Sequence, residues 1–217
     1  MIDPLHLAIA LWPLAAYLVV LGGLHLGRRP RVVGGARDAA ALALALAGMV
    51  VAGPMELFFP EEATTLYGGW VWTLLLTVYG LLVLLGILLM RPRIVVYNAT
   101  LEQLRPVVVE TVSRLDSEAR WAGDAVLLPQ RQVQMHLEVS PLAQVVQLVA
   151  TGPQQDLGGW RALERQLRLD LKKMRTRPNP LGLALLMAGL ALAGIATWSV
   201  GRDPAGTLQA FHQMVRS

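Results

Sequence analysis

Few residues in this chain could do chemistry, and they are scattered. Glu56 stands in Gly53-Pro54-Met55-Glu56, where a helix can break and a carboxylate could carry a proton. An ionisable group within an apolar run is the ordinary starting point for a transport or relay site. Glu56, however, lies three residues from the end of its run and can reach an interface, so a structural or interfacial role is expected. His6 and His25 mark opposite ends of the first apolar run, and no Asp, Glu, Lys, Arg or His falls at the middle of any run. His136, between Gln134 and Glu138, forms a polar row at alternate positions. An imidazole there could act as a base or ligand. No second histidine, carboxylate cluster or cysteine accompanies it, so the row reads as a solvated sheet face, and neither metal nor cofactor is expected.

The usual catalytic signatures are missing. The chain has no Walker-type glycine loop, no G-x-G-x-x-G after a strand, no H-E-x-x-H and no G-x-S-x-G. Gly158-Gly159-Trp160 opens a helix and could offer backbone donors to an anion, or simply end a loop. The polar segment carries only Tyr97, Trp121 and Trp160 as aromatics, which argues against nucleic acid.

The strongest charged pattern is a basic stripe. Arg161, Arg165, Arg168, Lys172 and Arg175 recur at helical spacing beside an apolar stripe of Trp160, Leu163, Leu167, Leu171 and Met174. The apolar stripe should pack on a sheet. The basic stripe is either a solvated face or a surface for anionic headgroups, where each cation contributes about 1 kcal/mol.

These residues must be positioned by an apolar framework. Of 217 residues, 54% are hydrophobic and only 16% charged, with a net charge of +4. Soluble domains carry about 25% charged residues. Four runs approach the roughly 20 residues needed to span a bilayer: 5–26, 39–59, 70–90 and 181–200. The third holds 13 Leu, Ile or Val residues, favouring insertion by about 4–8 kcal/mol. The second is alanine-rich and needs neighbours. Pro13 could kink the first. That first run has no Lys or Arg ahead of it and exceeds the apolar length of a signal peptide, so it is read as retained.

Arginine placement sets the expected orientation. Arg28, Arg29, Arg31, Arg37, Arg91, Arg93, Lys172, Lys173, Arg175 and Arg177 flank the runs on one side, and opposite them, near the membrane, is only Arg202, beside the acidic Glu61, Glu62 and Asp203. The positive-inside rule then puts both termini outside and 93–177 in the cytoplasm of a bacterial inner membrane. Trp12, Trp70, Trp72 and Trp198 fall near the outer interface, where indoles favour the headgroup level. Residues 201–217 form an outer tail with Leu208, Phe211 and Val215 at helical spacing, suited to a short interfacial helix.

The 93–177 segment reads as a small α+β domain, β-α-β-β-β-α, inserted between the third and fourth transmembrane helices. Strands are expected at 93–97, 125–128, 132–140 and 142–150, and a last helix at 157–177. Its first helix starts either at the Thr100-x-x-Gln103 capping box or near Arg105, with Pro106 in the first turn. Two helices should cover one sheet face, leaving the other to water or a partner. Ridges of small residues, Ala39, Ala43 and Ala47 in the second run and Gly182, Gly189, Ala193 and Ala196 in the fourth, should let helices approach closely.

A non-catalytic membrane subunit, scaffold or regulatory anchor is therefore expected. Its partners would be anionic headgroups on the cytoplasmic side and a protein or second copy. A small-solute transporter or channel using Glu56, Pro54 and Pro13, and a lipid-acting enzyme using Glu56 with His6 or His25, are the alternatives.

Overall fold

The computed structural model describes residues 4–55, 70–153, 155–204 and 206–208, without the side chains of 54 and 55. Among the described residues, four helices are long and apolar enough to cross a membrane: α1 (Pro4–Leu26), α2 (Gly35–Val50, continued by a π-helical turn Val51–Met55), α3 (Trp70–Leu89) and α6 (Leu181–Arg202). Their outward Leu, Val and Trp side chains are exposed, including Trp70, Leu85, Leu88 and Trp198. Glu56 and the end of the second expected run lie outside the described residues, as does most of the 201–217 tail.

The chain divides into two compact units. One contains residues 1–20, 40–89 and 185–217, and its helices meet through small side chains. A Cβ on Gly189 would stand 2.9 Å from the Ala15 carbonyl oxygen, and one on Gly48 only 2.0 Å from the Ile9 carbonyl oxygen. Ala8, Ala15, Ala45 and Ala196 are buried. Backbones at this separation gain dispersion over their length, the main driving force for association when both sides are equally apolar. Tyr79 donates its hydroxyl to the Ala43 carbonyl at 2.6 Å, joining α3 to α2. α1 runs on through Pro13.

The second unit comprises 21–39 and 90–184. It is built on a six-stranded antiparallel sheet, ordered β1 (Arg31–Gly34), β2 (Arg93–Tyr97), β6 (Val145–Ala150), β5 (Val133–Ser140), β4 (Ala125–Leu128), β3 (Arg120–Ala122). The expected four strands are thus joined by two more. β3 is a three-residue edge hairpin arm. β1 comes from the arginine-rich segment between the first two apolar helices and pairs Val32 with Val96. Its alternation explains the recruitment: Val32 packs on the main core and Val33 on the opposite face.

Helices α4 (Leu101–Leu115) and α5 (Leu157–Leu171) cover one face. The core joins Leu104, Val108 and Val112 of α4 and Leu163, Leu167 and Leu171 of α5 to Ile94, Val96, Met135 and Leu148 of the sheet. Each such side chain, fully buried, favours folding by about 1.5–3 kcal/mol. α4 starts at Leu101 with Thr100 as its cap, accepting from Gln103 N at 3.4 Å, so the capping box sets the start and Pro106 sits inside the helix.

α5 ends at Leu171, earlier than the expected 177, so Arg175 lies beyond the helix and the basic stripe stops at Lys172. The cause lies downstream. Thr176 N donates to the Arg28 carbonyl at 3.0 Å and Asn179 N to the His25 carbonyl at 2.9 Å. These bonds draw 176–179 out of the helix to satisfy one carbonyl in the last turn of α1 and one just past its end. Pro178 and Pro180 supply no backbone donor and favour extended chain before them.

Candidate functional site

Three places in the second unit concentrate polar groups. The first lies at the end of α1. His25 is buried, and its ring meets Tyr97 edge to face, with centroids 5.6 Å apart. Tyr97 donates its hydroxyl to Asp38 Oδ1 at 2.5 Å, and Asp38 pairs with Arg93 at 3.6 Å. Asn98, buried with φ +59°, donates from Nδ2 to the Gly27 carbonyl and to Thr176 Oγ1. Asn179 completes the set, donating from Nδ2 to the Ala143 carbonyl and accepting from Leu181 N to cap α6. Together these bonds link the ends of α1 and α2 and the approach to α6 to the sheet and its connecting turn. The arrangement orients elements relative to the sheet.

The second is the open row of β5. Gln134 and Glu138 are exposed, and His136 Nε2 lies 2.6 Å from Glu138 Oε1. The alternation holds for Val133, Met135 and Leu137, buried against the helices, while Val139, expected on the same side, is exposed at the strand's end. Gln134 also holds the edge of the strand, its backbone bonded to the Gln155 side chain, which takes the Trp160 indole N–H at 2.9 Å. Among the described residues no group of three or more His, Cys, Asp or Glu could hold a metal.

The third is basic. A cavity of about 530 Å³ lies between the last turn of α1, the start of β1 and the end of α5. Arg29, Arg31, Arg168 and Lys172 line it, with Leu24 and Val32 as apolar wall. Arg168 pairs with Glu164 at 2.6 Å and reaches the Val32 carbonyl at 3.4 Å. Among the described residues no carboxylate lies within ion-pair distance of Arg29, Arg31 or Lys172. The site therefore keeps most of its positive charge.

Of the expected basic stripe, Arg168 and Lys172 enter this cavity, while Arg161, Arg165 and Arg175 are exposed elsewhere. Arg29 and Arg31 complete it, and only the pairing of β1 with β2 could have revealed that. Gly158 and Gly159 do not offer free donors to an anion. Asp156 already accepts from both, at 3.1 and 2.7 Å. Gly159 is required by close approach, since a Cβ would lie 2.4 Å from the Arg131 carbonyl oxygen.

Gly182, Gly189 and Ala196 are buried along α6, and Ala193 is half-buried. In α2, Ala39, Ala43 and Ala47 are half-buried, while Ala45 and Gly48 beside them are buried. Sequence reasoning missed that pair, because an alanine-rich helix offers several small ridges and its pattern does not single one out.

Asp170 is a further polar group, half-buried, and it is structural. It accepts from Thr111 Oγ1 at 2.8 Å and from Arg114 at 2.9 Å, joining α5 to α4. Burial alone would raise its carboxyl, but the Thr111 bond and the Arg114 charge outweigh it and hold the pKa below the ordinary value. No protein-family model, curated protein or solved structure matches this chain.

Proposed function

We propose that this chain is a membrane-embedded subunit, scaffold or regulatory anchor without catalysis of its own, whose α+β unit lies in the cytoplasm and holds a protein partner. The observation that carries this reading is the asymmetry of the sheet. One face is taken up by α4 and α5, while β5 turns Gln134, His136 and Glu138 outward, and Leu142 in the following turn is 90% exposed. A polar row beside a bare leucine suits protein recognition better than it suits water alone.

Topology supports the anchoring part. The C-terminal ends of α1 and α3 and the N-terminal ends of α2 and α6 all lead directly into or out of the α+β unit. Helices that alternate across a bilayer would bring those four ends to one side, and the ten flanking cations belong to the same four ends.

The test is affinity purification of the full chain in mild detergent, wild type against Gln134→Ala/His136→Ala/Glu138→Ala, read by quantitative mass spectrometry. A protein enriched with the wild type and at least fivefold depleted with the variant supports the partner face. Identical sets from both would remove it.

A further inference from the structure

The cavity between α1, β1 and α5 has a role distinct from the partner face. We propose that it binds one phosphate ester anion, and that its occupant is the headgroup of an anionic phospholipid.

The charge comes first. Four cations converge on one concavity from two segments far apart in sequence, Arg29 and Arg31 before and within β1 and Arg168 and Lys172 at the end of α5. Glu164 offsets only Arg168. Cations gathered without carboxylates repel one another, and the fold holds them together through the β1–β2 pairing and through the Arg168 bond to the Val32 carbonyl. A bound dianion or monoanion relieves that repulsion with charge-assisted hydrogen bonds, and guanidinium forks match phosphate oxygens in pairs.

The size and lining come second. About 530 Å³ falls within the ordinary range of ligand pockets and exceeds what one phosphate fills. Leu24 and Val32 provide an apolar wall for the carbon skeleton esterified to it. Leu24 lies in the last turn of α1, two residues from its end at Leu26, and so about 3 Å from the helix terminus. For a helix that crosses a bilayer, that is headgroup depth, where lipid phosphates are already concentrated. Basic pockets beside transmembrane helices on the cytoplasmic side hold such headgroups. The lipid assignment rests on the membrane reading, which extraction of the chain from cell membranes only by detergent establishes on its own.

The experiment is native mass spectrometry of the full chain in mild detergent, titrated with phosphatidylglycerol, with phosphatidylcholine, and with glycerol 3-phosphate as competitor. The cavity variant is Arg29→Gln/Arg31→Gln/Lys172→Gln. The comparison variant, Arg161→Gln/Arg165→Gln/Arg175→Gln, removes the same charge outside the cavity. The wild type should bind a first phosphatidylglycerol about tenfold more tightly than phosphatidylcholine, and the cavity variant should lose about that factor while the comparison variant keeps it. Displacement by glycerol 3-phosphate at concentrations equal to the lipid would overturn the lipid source and make the occupant a soluble ester. Equal binding of the two lipids by the wild type, or equal losses in the two variants, would overturn the site itself.

Discussion

Asn98 donates a hydrogen bond to Thr176 at 3.1 Å, linking the end of β2 to the segment that leads into the last apolar helix. The same amide reaches the Gly27 carbonyl just past α1. One buried side chain thus joins three stretches of chain that meet nowhere in sequence. Its left-handed backbone is one that asparagine tolerates better than other non-glycine residues.

Asn98 should therefore matter more than its size suggests. Asn98→Ala removes both bonds and keeps an unfavourable φ, and should cost about 2–4 kcal/mol of stability. Thr176→Val removes one partner and should cost about 1 kcal/mol. Asn98→Gly, which relieves the backbone but not the bonds, should fall between them. Thermal unfolding of the full chain in detergent gives the order; no loss for Asn98→Ala or Thr176→Val would show that the clasp contributes nothing.

The Asp170 carboxylate predicts a pH dependence. Its folded pKa lies below the ordinary 3.8, so it contributes stability that is fully present above that value. That contribution is lost as pH falls through the lower folded value. Asp170→Asn should cost about 1–2 kcal/mol at neutral pH, with part of the Arg114 attraction already screened by solvent. The gap between wild type and variant should close below pH 3.8 and not between pH 5 and 8. A gap that stays constant down to acid conditions would contradict it.

The glycine seam gives a steric test. Positions 15 and 189 meet in the first unit, and 22 and 182 meet in the second, where a Cβ on Gly182 would lie 2.8 Å from the Gly22 carbonyl oxygen. Gly189→Val forces the backbones apart and should destabilise by about 1–3 kcal/mol. Gly86→Ala, with nothing within 4 Å of the new methyl, should be neutral. Comparable losses would mean that the effect is helix propensity, not packing.

What could be read beforehand followed from period and length. The four long apolar runs hold helices, the Leu163-Leu167-Leu171 stripe faces the core, and Val133, Met135 and Leu137 alternate as their spacing required. What escaped was short or non-local. β1 has four residues and only two valines to mark it, so nothing periodic announced that an arginine-rich loop would extend the sheet. The cavity inherits that blindness, since half its cations belong to that loop. The small residues of α6 were visible as a heptad, while the α1 positions that meet Gly189 and Gly182, Ala15 and Gly22, were hidden among leucines.

The central claim is that the α+β unit lies on the cytoplasmic side, and the absence of any cysteine makes it directly measurable. Leu142→Cys and Asp203→Cys each place one thiol at an exposed position, the first in the α+β unit and the second just past α6. In intact cells whose outer barrier has been opened, a membrane-impermeant maleimide should label Asp203→Cys and spare Leu142→Cys until the inner membrane is disrupted. Labelling of Leu142→Cys in sealed cells, with Asp203→Cys protected, would invert the topology and contradict the account.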